Sequence, residues 1–282
     1  SARRTRASGS AARHKDERAR EVLNRELASG MSAVASCSAE AALRNVFVIT
    51  SIHSTARNAA LRAQCERHGL PCVFVPNVEK SAIHQKSFEE DSRGTRFKIP
   101  ANSRLPRFNL TAAEFALSLS HRNLYDLVLL NRLPCAMLLE SDVAFAHDFA
   151  ELLRSLPVQW HSFDVLKLER CNQPQRWLGS VHRKPSANVS SGPGGWCAAA
   201  YIASFDGARR MRAAQTPVWT VADAPMKLWE QHPTWDESAP FRVIHTVPPL
   251  AWQNHSLVSE LGRQRSWEFE QTNSRDGSGS RA

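Results

Sequence analysis

Leu138-Leu139-Glu140-Ser141-Asp142-Val143 places two carboxylates two positions apart, directly behind an apolar run. In extended backbone, positions i and i+2 point to one side, so Glu140 and Asp142 share a face at the end of a strand. Two anions held together repel each other and lose solvation, a cost that a cation between them removes. Hard oxygen donors suit Mn²⁺ or Mg²⁺, which complete an octahedron with water and phosphate oxygens. The chemistry expected of the pair is support of a diphosphate leaving group. The bland alternative is a solvated strand end carrying two unrelated acids.

The surrounding pattern explains how such a pair is positioned. Val46-Phe47-Val48-Ile49 is a continuous apolar run, as expected of a strand buried on both faces. Ser54 and Thr55 offer an N-cap, and Asn58 to His68 reads as a helix closed by Gly69-Leu70-Pro71. Cys72 to Val75 is the next strand, which completes a βαβ unit. A polar loop over 77–109 follows. Thr111-Ala112-Ala113-Glu114 is a capping box that opens a helix running to about Asn131. Ala136 to Leu139 reads as a buried strand, Asp148 to Ser155 as a short helix, and Phe163 to Leu168 as a strand with Asp164 near its start. After a Gly- and Pro-rich loop, order resumes over Cys197 to Ala203. Helices are expected over 206–214 and 223–231, and a strand over 241–246. Alternating strands and helices predict a single α/β domain with a Rossmann-type, mostly parallel sheet flanked by helices. Ligands of such sheets bind outside the carboxyl ends of the strands, which is where Glu140 and Asp142 fall.

The 282 residues are 42% hydrophobic and 22% charged, which excludes a coiled coil, a collagen-like rod and a wholly disordered chain. No apolar stretch approaches the roughly 18–20 residues of a bilayer helix. Net charge is +9, and the first 31 residues carry +4 of it. Residues 1–44 are therefore expected to be a disordered basic leader, 45–265 the catalytic body and 266–282 a disordered tail. The body has no Lys/Arg stripe interleaved with aromatics, so no specific nucleic-acid partner is expected. Six cysteines without a C-x-x-C pair argue against a zinc finger, and their even number permits three disulfides. Sequons occur at Asn109, Asn188 and Asn254. The compartment stays open: the ER or Golgi lumen if the source is eukaryotic, the cytoplasm if bacterial. All eight tryptophans lie after residue 159. Flat aromatic faces stack on sugar rings, and Trp196 and Trp252, beside loops, are the first candidates for a substrate contact.

The chain resembles glycosyltransferase family 25, which includes lipooligosaccharide and collagen β-galactosyltransferases, over roughly 45–261. The family's I-N-L-x-R-S-x-x-R segment is similar to Ile49 through Arg57, and its G-E-x-G-C-x-x-S-H helix to Ala113 through His121. Its L-P-x-x-L-I-L-E-D-D-V resembles Leu133 through Val143, with Ser141 in place of the middle Asp. The D-x-x-K-L strand matches Asp164 through Leu168, an aY-i-S-x-x-G-A stretch matches Ala200 through Ala208, and P-x-x-V-D is echoed loosely by Pro217 through Asp223. Gln253 and Ser259-Glu260-Leu261 echo the closing Q-x-x-x-x-x-S-D-I.

The resemblance implies a GT-A-like fold and transfer of a hexose, typically galactose from UDP-galactose, to a saccharide or glycoprotein acceptor with inversion. Glu140 and Asp142 would then hold the metal, and His245 or His255 could add a ligand. Asp223 is the expected base, with a helix N-cap as its alternative. Asp164 is in reserve, and its alternative is a strand-end acid paired with Lys167 or Arg170. Arg57 suits a diphosphate or uridine contact. Ser120 and His121 are candidate cofactor contacts, with helix packing as the alternative, and Gln253 is a candidate substrate contact. Ser141 and Ala222 motivate the rival reading of a catalytically degenerate member that binds carbohydrate or protein.

Overall fold

The apolar runs of the sequence become the strands of one sheet. The computed structural model describes residues 34–83, 110–169, 187–192, 197–216, 218, 220–228 and 241–254. Helix α1 (Ala39–Arg44) leads into β1 (Val46–Thr50), α2 (Thr55–Arg67), β2 (Cys72–Pro76), a 3₁₀ turn (Lys80–Ala82) and the long helix α3 (Ala112–Leu130). Then come β3 (Cys135–Glu140), β4 (Val143–Phe145), α4 (Phe149–Arg154), β5 (Val165–Lys167) and β6 (Asn188–Ser191). The remaining elements are β7 (Ala200–Ser204), α5 (Phe205–Ala214), α6 (Ala224–Leu228), β8 (Val243–Val247) and β9 (Ala251–Gln253).

Seven strands form the main sheet in the order β2-β1-β3-β7-β5-β8-β6. β1 is parallel to β2 and β3, and β5 is parallel to β8, while β7 and β6 run the other way. Five of the seven strands thus share one direction. This is the expected α/β architecture, and the described residues from Ser36 onward belong to one compact unit. β4 and β9 pair as a separate antiparallel ribbon.

Strand alternation sorts the core into two layers. Val46, Val48, Met137, Leu139, Leu166 and Ile202 pack on one face with residues of α1, α2 and α4. Ala136, Leu138, Val165, Tyr201 and Ala203 pack on the other with residues of α3, α5 and α6. β3 lies in the middle of this sandwich, and Cys135 to Leu139 are all buried, which is why that run is uniformly apolar. The capping box of α3 forms as the sequence predicts, with the Thr111 side chain accepting from the Glu114 amide and the Glu114 carboxylate accepting from the Thr111 amide.

Five elements differ from expectation. The helix ahead of β1 starts at Ala39, inside the segment expected to be a disordered leader. Ser38 caps it, Ala42 and Leu43 are buried, and Cys37 forms a disulfide with Cys135. β4, β6 and β9 are three- or four-residue strands too short and, in β6, too polar to show a period. α2 starts at Thr55, not Asn58, and Ser54 makes no side-chain cap bond. A second disulfide joins Cys65 to Cys72, and Cys197 is oxidised as well. Residues 1–33 of the expected leader and the expected tail 266–282 lie outside the described residues.

Gly207 packs α5 onto β5 so tightly that a methyl group has no room. A Cβ there would come within 1.9 Å of the Asp164 carbonyl oxygen, which is backbone and already accepts from the Ser204 amide. Gly207→Ala is expected to destabilise the fold by about 1–3 kcal/mol despite the better helix propensity of alanine. Equal melting temperatures for the two proteins would contradict this packing.

Candidate active site

A cleft of about 870 Å³, measured to its open mouth, lies at the carboxyl ends of β1 and β3. Glu140, Ser141 and Asp142 line one side, Ser54 and Arg57 at the start of α2 another, and Lys80 a third. Ala113, Ala116 and Leu117 from the first turns of α3 complete the wall. Helix N-termini carry a partial positive charge, so the cleft combines that dipole and the cationic Arg57 and Lys80 with three acids, Glu79 beside Lys80 and the pair Glu140 and Asp142. Three of the sequence's candidates, Glu140, Asp142 and Arg57, thus meet in one place. Ser54 faces this cleft instead of capping a helix.

The backbone of the acid pair is tied down on both sides. The Glu140 amide donates to the Ala199 carbonyl at 2.8 Å, and the Asn254 amide donates to the Asp142 carbonyl at 2.7 Å. The β4–β9 ribbon places Gln253 opposite Val143 and Trp252 opposite Ala144. Gln253 therefore sits beside the acidic turn, as does the ribbon carrying Trp252. Trp196 and His255 lie outside the described residues. His245 bonds the Gly192 carbonyl through Nδ1 at 3.1 Å and does not line the cleft.

Asp142 is the least comfortable group in this region. It is only 6% exposed, and its Oδ1 has no hydrogen-bond partner among the described residues. Burial first and the Glu140 charge second push its carboxyl up to about 7, against the pull of Arg57. Among the described residues no set of three His, Cys, Asp or Glu side chains forms a complete metal cage. Two hard oxygen donors with one buried oxygen unpartnered nevertheless fit Mn²⁺ or Mg²⁺, which draw their remaining ligands from phosphate and water. Glu140 and Asp142 are the residues that would hold it.

Ser120 and His121 do not reach the cleft as expected. The Ser120 hydroxyl accepts from the Val78 amide at 2.8 Å and donates to the Ala116 carbonyl at 2.8 Å, so it ties the loop after β2 to α3. His121 is fully buried, with Nε2 3.4 Å from Glu140 Oε1 and Nδ1 2.9 Å from the Tyr201 hydroxyl. Both residues stand behind the cleft wall.

Asp164 is a correction. It precedes β5, a strand parallel to β3, so it lies at the opposite edge of the sheet from Glu140. Its carboxylate accepts from the Arg242 amide at 2.7 Å and pairs with Arg210 at 3.3 Å, not with Lys167. Those bonds join the start of β5 to the segment before β8 and to α5. Asp164 is structural. Asp223 precedes α6, is half-buried, and is absent from the lining of the cleft; its charge acts on buried Lys167 and Tyr125.

Sequence reasoning missed the buried polar layer under α3. Lys167 and Glu169 alternate on the face that carries Val165 and Tyr201, with Lys167 opposite Tyr201 in register. The Glu169 carboxylate accepts the amides of Ala199 and Ala200, the segment that receives the Glu140 amide. Burial, then the Glu140 charge, push the Glu169 carboxyl up to about 8, against its amide bonds and Lys167, whose own ammonium burial pushes down. The signal was present: Lys167 and Glu169 follow a strand at the same i, i+2 spacing as Glu140 and Asp142.

The raised Glu169 value has a sign. A carboxyl that keeps its proton in the folded state and loses it near 4.5 in the unfolded chain binds more protons folded, so stability falls as pH rises from about 4.5 to about 8. Asp142 acts in the same direction up to about 7. The metal-free protein is expected to melt lower at pH 8 than at pH 5, and Glu169→Gln, which keeps both amide bonds, is expected to flatten part of that slope. An unchanged slope in Glu169→Gln would show that Glu169 does not titrate in this window.

A doubly flanked, mostly parallel sheet with a carboxylate pair and cationic walls in a cleft at its carboxyl edge is consistent with a Rossmann-like glycosyltransferase. Sequence comparison makes this specific: the model of glycosyltransferase family 25, described as an LPS biosynthesis protein, matches residues 44–224. The chain belongs to that family. The matched span holds Arg57, the acid pair, Lys167, Glu169 and Asp223 and stops short of Gln253. No curated protein matches the chain closely enough to add a relative.

Proposed function

We propose that the chain is a divalent-cation-dependent hexosyltransferase that moves a hexose, galactose first among the candidates, from a UDP-sugar to a hydroxyl of a saccharide or glycoprotein acceptor with inversion. The observation that carries this reading is the buried Asp142 Oδ1, without a partner among the described residues, beside Glu140 in a cleft that Arg57 also lines. Glu140 and Asp142 would hold Mn²⁺ or Mg²⁺, and the bound ion supplies charge neutralisation to the departing diphosphate. Arg57, Lys80 and the first turn of α3 add positive charge to the same cleft. As the acceptor oxygen bonds to the sugar's anomeric carbon and the bond from that carbon to the diphosphate breaks, releasing UDP, the hydroxyl's proton passes to a carboxylate; Asp223, which does not line the cleft, is the sequence's candidate for that base. Trp252 and Gln253 on β9 serve the sugar side of the site, where an aromatic face stacks on a ring.

A melting-temperature screen of UDP-, GDP- and CMP-sugars, with and without Mn²⁺, tests the reading. A ligand at a hundred times its Kd stabilises by about 2.7 kcal/mol through mass action. UDP-sugars are expected to give the largest shift, larger with Mn²⁺, and Asp142→Ala is expected to remove the manganese-dependent part. Silence from every sugar nucleotide would favour a non-catalytic binding role, and a manganese effect that survives Asp142→Ala would displace the metal from this pair.

A further inference from the structure

Both tyrosines of the chain lie fully buried in one string of hydrogen bonds that ends on Glu140. The Tyr125 hydroxyl is 2.8 Å from the Tyr201 hydroxyl, which is 2.9 Å from His121 Nδ1, and His121 Nε2 is 3.4 Å from Glu140 Oε1. The rings of His121 and Tyr201 are also stacked, 5.9 Å between centroids. Each member has limited protons to give, and counting them sets a direction. Of the two neutral tautomers of imidazole, the one protonated at Nδ1 would aim a bare Nε2 lone pair at a carboxylate. The one protonated at Nε2 donates to Glu140 and leaves Nδ1 to accept from Tyr201, whose oxygen in turn accepts from Tyr125. Only the second satisfies every atom of the string and gives the Glu140 carboxylate a donor. Burial holds the Tyr201 hydroxyl well above its ordinary titration range, so it keeps the proton this direction needs.

The arrangement fixes one oxygen of Glu140 from behind. The Glu140 amide is pinned to Ala199, and its side chain, 18% exposed, lines the cleft. We propose that His121 is a positioning residue: its Nε2–H holds Glu140 in the orientation that meets a divalent cation shared with Asp142, and Tyr201 selects the tautomer that makes this possible. This rests on the reading of Glu140 and Asp142 as cation ligands. Partners that orient a ligand from behind are typically worth about 10–100-fold in metal affinity.

The test is Mn²⁺ binding to the full chain without donor or acceptor, followed by the loss of the free-ion paramagnetic resonance signal. Thermal melts report folding in parallel. His121→Leu is expected to weaken Mn²⁺ binding by about 10–100-fold, and Tyr201→Phe, which keeps the ring and loses only the tautomer lock, by about tenfold. His121→Gln, which can still present an amide N–H toward Glu140, is expected to stay near wild type. That rescue separates positioning from mere packing. Should His121→Leu fail to fold, Tyr201→Phe decides. Wild-type affinity in Tyr201→Phe and His121→Leu, with binding lost in Asp142→Asn, would overturn the positioning role and leave the metal site standing. Equal binding by wild type and Asp142→Asn, or none by wild type, would remove the metal site and the inference with it.

Discussion

Asp142→Asn is expected to lower kcat for hexose transfer by about 10³ while leaving the acceptor KM near its wild-type value. Under the proposed function, removing one of the two carboxylates that would hold the ion forfeits several kcal/mol of transition-state charge stabilisation, and each 1.36 kcal/mol is a factor of ten. The substitution is nearly isosteric and retains an oxygen at a position where Oδ1 has no partner among the described residues. It also removes the repulsion from Glu140 that, with burial, holds the carboxyl at about 7. Stability of the metal-free protein near pH 8 should therefore rise as activity falls, the trade expected of a strained site. Release of UDP from UDP-galactose, measured with Mn²⁺ present, checks the rate. Asp164→Asn provides the contrast, since that carboxylate is bonded to Arg210 and the Arg242 amide at the far edge of the sheet. It should lower the melting temperature and spare the rate per folded molecule. A loss of less than tenfold in Asp142→Asn would mean that Asp142 does not hold the ion.

How far the site could be read in advance depended on whether its residues announced themselves locally. Ala136–Leu139 is buried on both faces and Val46–Ile49 nearly so, with only Phe47 half-buried, and such burial leaves a continuous apolar run in the sequence. Glu140 and Asp142 break such a run at its carboxyl end, where a parallel sheet opens, so pattern and place agreed. The same rule applied to Asp164 gives the opposite answer: a residue ahead of a strand parallel to β3 belongs to the other edge. The acid that sequence could have found, Glu169, comes after β5. His121 shows where local reading ends. Its helix and its burial were legible, but its partners Tyr201 and Glu140 are 80 and 19 residues away, and their meeting is a product of packing. The short ribbon β4–β9 was invisible for a similar reason, because three-residue strands carry no period and pair only across the chain. α1 lay hidden in a basic segment because its hold on the sheet is a covalent link to a residue 98 positions away.

That link carries the largest expected change in stability. The disulfide Cys37–Cys135 ties the residue before the N-cap of α1 to the first residue of β3, the interior strand that ends in Glu140. Closing a loop of this length in the unfolded chain lowers its entropy by an amount worth about 4.7 kcal/mol at 25 °C in the chain-entropy model, with about 2–5 kcal/mol as the measured range for native disulfides. The double substitution Cys37→Ser, Cys135→Ser is expected to lower the melting temperature by about 5–15 °C, at roughly 2–4 °C per kcal/mol for a domain of this size. Replacing both partners avoids a stray thiol. The Cys65–Cys72 link spans only 7 residues, and because loop-closure entropy grows with the logarithm of loop length, its removal should cost less. Comparing the two double variants by calorimetry therefore separates loop closure from packing. α1 also buries Ala42 and Leu43 in the core layer that holds Met137 and Leu139, a source of hold on the sheet besides the bond. If chain entropy dominates, the Cys37/Cys135 variant retains its manganese-dependent response at 25 °C while melting earlier. If the bond instead sets the seat of β3, the response to Mn²⁺ is lost together with the stability.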